Sequence, residues 1–121
     1  MRIAVLHQHV PDDAAPDERD VLDEARAVTD ALVALGHEPT TRGVTLDLSA
    51  LDRQLSGVDL AFNLVETLGG SGRLGHLVPC VLEARGAPFT GNSSTTLLLT
   101  SNKPLTKQIL ASAGVPVAPP H

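Results

Sequence analysis

The sequence predicts an α/β domain with a mostly parallel sheet of about four strands flanked by helices. Short aliphatic runs alternate along the chain with segments in which apolar residues recur at helical spacing. These are the patterns of buried strands and of amphipathic helices. Glycine and proline residues separate the segments. Because strands that alternate with helices pair in parallel through right-handed crossovers, we expect a three-layer, Rossmann-like architecture.

The N-terminal pattern predicts the first strand and the first helix. Residues 3–6 form a continuous aliphatic run, which predicts a buried strand, and the acidic segment 11–20 predicts a loop. A helix is predicted where apolar residues fall at helical spacing, namely at Val21, Leu22, Ala25, Val28, Leu32 and Leu35. We expect Asp17 to be the N-cap of this helix and Gly36 to end it.

The middle of the chain predicts two further strands on either side of a short helix. Residues 37–41 predict a short strand near an edge of the sheet, and leucines in the segment 48–55 indicate a brief helix closed by Gly57. Residues 58–65 predict the next strand. The segment 66–72 that follows is a glycine-rich loop.

The last part of the chain predicts three helices and one more strand. Apolar residues in the segment 74–84 indicate a helix, and residues 87–91 indicate a short strand that ends at a glycine. Residues 93–100 are expected to be helical. Asn102 is the expected cap of a final helix, which ends at Gly114.

Composition excludes several classes of protein. The 121 residues include 14 acidic and 9 basic side chains, a formal net charge of −5, and only two aromatic residues. We therefore expect no nucleic-acid partner, which would favour a basic surface and stacking rings. The single cysteine, Cys80, cannot form an internal disulfide and is expected in the core. The apolar runs are too short for a signal peptide or a membrane helix, so we expect a soluble, cytoplasmic domain without a membrane partner.

The glycine loop admits two interpretations. Gly69-Gly70-Ser71-Gly72 lies between a predicted strand and a predicted helix, where backbone N–H groups and a helix N-terminus can bind an anion. The alternative is a tight strand-to-helix turn. The stretch matches neither the dinucleotide-binding fingerprint nor the Walker A motif, so both interpretations stay open on pattern alone.

Polar residues beside the predicted strand and helix ends are candidate functional groups. His7 and His9 could hold a metal with an acid at 12–13, but no further His or Cys falls at ligand spacing, so no metal site is assigned. Glu18 lies at the start of the first helix, where the helix dipole alone favours a carboxylate. Glu66 directly follows an apolar strand, and a charge in that position indicates a function.

Six short motifs resemble one family. They are Phe62-Asn63-Leu64-Val65-Glu66, Leu68-Gly69-Gly70-Ser71-Gly72-Arg73, Gly75-His76-Leu77-Val78-Pro79, Gly86-Ala87-Pro88-Phe89-Thr90-Gly91, Asn102-Lys103-Pro104-Leu105-Thr106-Lys107 and Ala113-Gly114-Val115-Pro116. In this order they resemble the N-terminal domain of the D-alanine–D-alanine ligase family, within the ATP-grasp superfamily. The resemblance spans essentially the whole chain.

The resemblance implies that this domain works with others. It implies a pre-ATP-grasp domain at 1–114 and a proline-rich hinge at 115–121, leading toward an ATP-grasp domain in the same polypeptide or a separate subunit. In the complete enzyme, ATP and Mg would be the cofactors of a ligation that proceeds through an acyl-phosphate. The substrate would be a small amino-acid-like molecule. We expect the chain alone to be inactive and to bind no cofactor tightly, and self-association into a homodimer is a further hypothesis. The alternative is a stand-alone binding or regulatory module that retained the fold.

The resemblance also implies roles for individual residues. Glu18 matches a catalytic glutamate that orients the ammonium group of the first amino acid. Lys103 matches a lysine that reaches ATP phosphate, although Asn102 replaces the usual aspartate before it. Glu66 and the loop residues Gly69, Gly70, Ser71 and Gly72 stand beside the first amino-acid subsite. There Glu66-Thr67 replaces the family's His-Gly, a departure that suits an amine-bearing or cationic substrate.

Overall fold

The computed structural model describes residues 1–100 and 103–114, which form three strands, five α-helices and a short 3₁₀ helix. The strands are β1 (Arg2–Gln8), β2 (Glu38–Val44) and β3 (Leu60–Asn63). The α-helices are α1 (Pro16–Ala34), α2 (Leu48–Gln54), α3 (Leu77–Arg85), α4 (Ser94–Thr100) and α5 (Lys103–Ser112), and the 3₁₀ helix is Gly72–Leu74. Within the described ranges no helix has the length and apolar character needed to span a membrane. The predicted hinge at 115–121 lies outside the described residues.

The sheet is parallel and has β1 at its centre, in the order β2-β1-β3. Ile3 of β1 pairs with Pro39 of β2 on one side and with Leu60 of β3 on the other. The second strand therefore lies at an edge, as its pattern predicts, and its largely exposed residues fit that position. Proline at position 39 is tolerated because an edge strand leaves some backbone groups outside the ladder.

The fourth predicted strand is reduced to a single bridge between Ala61 and Phe89. The Ala61 N–H donates to the Pro88 carbonyl at 2.9 Å, and the Thr90 N–H donates to the Ala61 carbonyl at 3.0 Å. Two residues further along β3, the Asn63 N–H donates to the side-chain Oγ1 of Thr90 at 3.1 Å instead of to a backbone carbonyl. The Thr90 hydroxyl thus takes the place of the next ladder bond.

Two apolar clusters sandwich the sheet and make the fold three-layered, as predicted. Ile3 and Val5 of β1 pack with Ala25 and neighbouring residues of α1 on one face. Ala4 and Leu6 pack on the other face with a cluster that includes residues of α2 and α3. Because side chains alternate across a strand, one continuous aliphatic run supplies both cores.

Two local predictions are wrong. Ala15 is the N-cap of α1 and has no side-chain capping bond, and Pro16 takes the first helical position, where the missing N–H costs no hydrogen bond. Asp17 therefore lies within the first turn and is not the N-cap. Cys80 is exposed rather than in the core, because Val78 and Leu82 define the buried face of α3 and position 80 points away from it.

Candidate functional site

The loop after β3 is fastened to the carboxyl ends of the two neighbouring strands. The side-chain Oε1 of Gln8, the last residue of β1, accepts a hydrogen bond from the Glu66 N–H at 3.2 Å. The Oδ1 of Asn63, the last residue of β3, accepts from the Val65 N–H at 3.1 Å. The side-chain amides of Gln8 and Asn63 thus hold the loop in a conformation in which Val65 is buried and Glu66 is exposed.

The glycine stretch forms a tight hairpin turn. Leu68 and Ser71 exchange two backbone hydrogen bonds, of 3.0 and 3.1 Å. The residues between them, Gly69 and Gly70, have φ of 59° and 78°, the left-handed conformations of a type I′ turn, which favour glycine. A 3₁₀ turn then separates this hairpin from α3. The amides of Leu68 and Ser71 are therefore engaged inside the turn and do not form part of a helix N-terminus.

The loop 66–72 borders two clefts. The larger, about 670 Å³, is called the Glu18 cleft. Its lining includes Gln8, Glu18, Leu46, Thr67, Gly69 and Gly70. The smaller, about 380 Å³, is called the Glu66 cleft. Its lining includes Asn63, Glu66, Gly72, Gly75, His76 and Leu97.

The Glu18 cleft combines a carboxylate with an apolar wall. Glu18 is exposed in the first turn of α1, where the helix dipole favours its charge. The lining of the same cleft also includes the apolar side chains of Val10, Val44 and Leu46. The turn approaches this lining closely, since a Cβ on Gly69 would lie 2.7 Å from Leu46 Cδ1. A carboxylate in such a cleft can accept charge-assisted hydrogen bonds from an ammonium group while the apolar lining contacts apolar atoms.

The Glu66 cleft is more polar, and Gly75 sets the position of its loop. A Cβ at buried Gly75 would lie 2.8 Å from the Glu66 carbonyl oxygen, so the two backbones touch. His76 donates from Nδ1 to the Arg73 carbonyl at 2.9 Å. In the neutral ring this leaves Nε2 as the acceptor.

The residues predicted from sequence divide between the two clefts. Glu18, Gly69 and Gly70 meet in the Glu18 cleft, whereas Glu66 and Gly72 line the Glu66 cleft. Ser71 is half-buried and lines neither of these clefts. The predicted phosphate contact, Lys103, is the first residue of α5, and its side chain lies outside the part of the chain that the structure describes.

Several residues that position the loop are not predicted as functional from the sequence. Gln8, Asn63, Thr90 and Gly75 shape the loop through single contacts. The available signal is positional, because polar side chains at the ends of parallel strands face the crevice of such a sheet. His7, by contrast, contacts the Gln8 carbonyl at 2.8 Å. Across residues 1–100 and 103–114, no three His, Cys, Asp or Glu side chains are placed to share a metal ion.

Most of this chain is similar in sequence to D-alanine–D-alanine ligases. The chain is 36% identical over 99 residues to D-alanine–D-alanine ligase of Nitratidesulfovibrio vulgaris, a match that covers 81% of this chain and 32% of the relative. It is 38% identical over 102 residues to D-alanine–D-alanine ligase of Desulforudis audaxviator, covering 83% and 32%. The chain matches the N-terminal third of D-alanine–D-alanine ligases. It also resembles the uncharacterized protein y4sG of Sinorhizobium fredii, with 36% identity over 99 residues, covering 76% of this chain and 29% of that protein.

Solved structures of D-alanine–D-alanine ligase share the fold. The crystal structure of the Bacillus anthracis enzyme superposes with a TM-score of 0.73 at 19% identity, covering 94% of this chain and 35% of that one. The same enzyme complexed with ATP gives a TM-score of 0.72 at 20% identity, with the same coverage. The chain therefore spans about a third of the length of the ligases that it matches. No protein-family model matches it.

Proposed function

We propose that this chain is the N-terminal substrate-binding domain of an ATP-dependent carboxylate–amine ligase of the D-alanine–D-alanine ligase type. The observation that carries the proposal is the meeting of Glu18 with the Gly69-Gly70 turn in one cleft. The similarity to ligases over most of this chain supports it. In such an enzyme ATP activates a carboxylate as an acyl-phosphate, and an amine attacks it.

The contribution of this chain is to hold and orient the amino substrate. Glu18 binds the ammonium group, and the turn limits where the rest of the molecule can lie. Glu66, in the second cleft, suits an amine-bearing or cationic portion of a substrate. The described residues supply no set of metal ligands, so we assign Mg²⁺ and most ATP contacts to an ATP-grasp domain in the same or another polypeptide. From this chain we assign Lys103 to the phosphate.

Glu18→Gln is expected to weaken binding of an amino acid, because the neutral amide loses the charge-assisted bond to ammonium. Titration of the 121-residue chain with D-alanine, followed by NMR, should shift the amides of Gln8, Glu18 and Gly69 with a Kd of about millimolar. In Glu18→Gln the Kd should rise roughly tenfold or more.

The matched control is Asp17→Asn, which removes a neighbouring charge from the same helical turn. Asp17→Asn removes one negative charge from the first turn of α1, as Glu18→Gln does, but it leaves the carboxylate of Glu18 in the cleft. Equal losses in both variants would reduce Glu18 to a helix-start charge. Shift changes that avoid the Glu18 cleft in the wild-type chain would overturn the proposed subsite.

The 121-residue chain is expected to bind ATP no more tightly than about millimolar, because most of the nucleotide pocket is assigned to the ATP-grasp domain. Isothermal calorimetry of the chain with Mg-ATP measures this directly. A micromolar Kd would contradict the assignment and would favour a self-sufficient nucleotide-binding module. Circular dichroism of the same sample shows whether the chain is folded, so that weak binding is not caused by unfolding.

A further inference from the structure

Both carboxylate oxygens of Glu83, on α3, bond to the first residue of α4. Oε1 accepts a hydrogen bond from the Ser94 N–H at 2.8 Å, and Oε2 accepts one from the Ser94 hydroxyl at 2.7 Å. An amide in the first turn of a helix has no partner within the helix, and a negative charge is favoured there. The contact joins two separate helices.

Glu83 is not needed to cap α4, because a local cap already exists. Ser93 Oγ accepts from the Thr96 N–H at 3.2 Å and donates to Thr96 Oγ1 at 3.0 Å. This is the usual side-chain cap of a helix N-terminus. The bonds from Glu83 therefore add a connection between α3 and α4 rather than a start signal for α4.

The helices that Glu83 secures form an arm outside both apolar cores. We call α4 and α5 together the C-terminal arm. Among the described residues, none beyond Phe89 belongs to either core cluster. The arm contacts the body through α3, and α5 contacts α4. Leu98, Ile109 and Leu110 are 41%, 45% and 38% exposed. A segment with so little burial opens more easily than the body.

The arm carries two features of the proposed ligase site. Leu97 of α4 lines the Glu66 cleft, and α5 begins at Lys103, the residue assigned to ATP phosphate. The orientation of α4 on α3 therefore affects two things. It sets the position of Leu97 in the lining of that cleft, and it sets the position of the backbone of Lys103 at the start of α5.

We propose that Glu83 is a positioning residue whose carboxylate docks the C-terminal arm on α3 and so fixes the starting point of Lys103 relative to the Glu66 cleft. The purpose of this docking rests on the proposed function. The docking itself does not, and it can be measured without any ligand.

The electrostatics agree with this role. The Ser94 N–H and then the Ser94 hydroxyl hold the pKa of Glu83 below its ordinary value of 4.5. A carboxyl whose folded pKa is lowered stabilises the docked state above its ordinary pKa. This contribution is lost as the pH falls through the lowered value.

Among the side chains that the structure describes, no charged group on a neighbouring element is a cause of this shift. Helix α4 has no ionisable side chain. On α3 the other charged residue, Arg85, pairs with Asp52 of α2 at 2.7 Å, Arg53 is also on α2, and Lys107 is on α5. None of these is among the causes of the Glu83 shift.

Hydrogen exchange of the 121-residue chain tests the proposal. In Glu83→Gln, amide exchange in α4 and α5 should rise roughly 5- to 30-fold while exchange in β1 stays unchanged. Ser94→Ala keeps the N–H bond and should give a smaller rise. The control is Glu38→Gln, an exposed glutamate in a 3.8 Å surface ion pair, which should leave the arm unchanged.

The pH dependence supplies a readout that a purely structural role would not move. As the pH falls through the lowered pKa of Glu83, the difference in exchange between the wild-type chain and Glu83→Gln should disappear. Uniformly faster exchange in Glu83→Gln, or no change in the arm, would overturn the docking role of Glu83 and would leave the proposal for the Glu18 cleft unaffected. Failure of D-alanine to bind would overturn the proposed function and leave the exchange result standing.

Discussion

Gly75→Ala is expected to destabilise the fold by about 1–3 kcal/mol and to displace the loop at Glu66. The added Cβ would lie 2.8 Å from the Glu66 carbonyl oxygen and 3.3 Å from its carbon. Both are backbone atoms, which cannot yield by a simple side-chain rotation. Gly75 has φ −58° and ψ −30°, which any residue adopts. The cost therefore comes from overpacking and not from backbone strain.

Gly72→Ala is the matched control for this substitution. Gly72 lines the same cleft, its φ is not positive, and a Cβ there meets nothing within 4 Å. Chemical denaturation should separate the two variants, and NMR should place the largest shift changes of Gly75→Ala at the Glu66 amide and its acceptor Gln8. Equal stability of the two variants would refute the close contact.

Leu6→Ala is expected to destabilise the domain by about 2–5 kcal/mol, the range for deleting a fully buried leucine. Leu6 is 0% exposed and lies on the central strand, in the cluster that includes Leu51 and Leu82. Because small domains have a free energy of unfolding of only about 5–15 kcal/mol, this loss removes a large fraction of the stability of the domain.

The same substitution at an exposed leucine isolates the effect of burial. Leu35 is 73% exposed at the end of α1, and Leu35→Ala should change stability by no more than about 0.5 kcal/mol. Urea denaturation gives both values. A cost at Leu6 as small as that at Leu35 would mean that the described packing on this face of the sheet is incorrect.

The layered fold was predictable because its signals are local. The aliphatic run of β1 and the spacing of α1 each need only a few consecutive residues, and both are present in the structure. The fourth strand does not extend beyond its single bridge because the hydroxyl of Thr90, in the strand segment itself, accepts the Asn63 N–H that a longer ladder would have bonded to a backbone carbonyl. The pattern of residues 87–91 shows the threonine but does not show that its hydroxyl meets Asn63, 27 positions earlier in the chain.

The candidate site was predictable as a set of residues but not as an arrangement. Glu18 and Glu66 are recognisable because each is a charge beside a strand or helix end. Their division between two clefts depends on the hairpin at Gly69-Gly70, whose shape follows from two positive φ angles. It depends also on Gln8, whose contact with the Glu66 amide joins residues 58 positions apart. Such contacts are created only by the completed fold.

The central position of β1 has a consequence for how the domain folds. Its pairing with β3 brings Arg2 to Asp59, residues 57 positions apart in sequence. At roughly 5–20 residues per second, a ribosome makes β1 some seconds before its second partner exists. During that interval the aliphatic strand has at most β2 beside it. Completion of the sheet must close a long loop, which slows folding, so β1 is the segment that most needs protection from aggregation during synthesis.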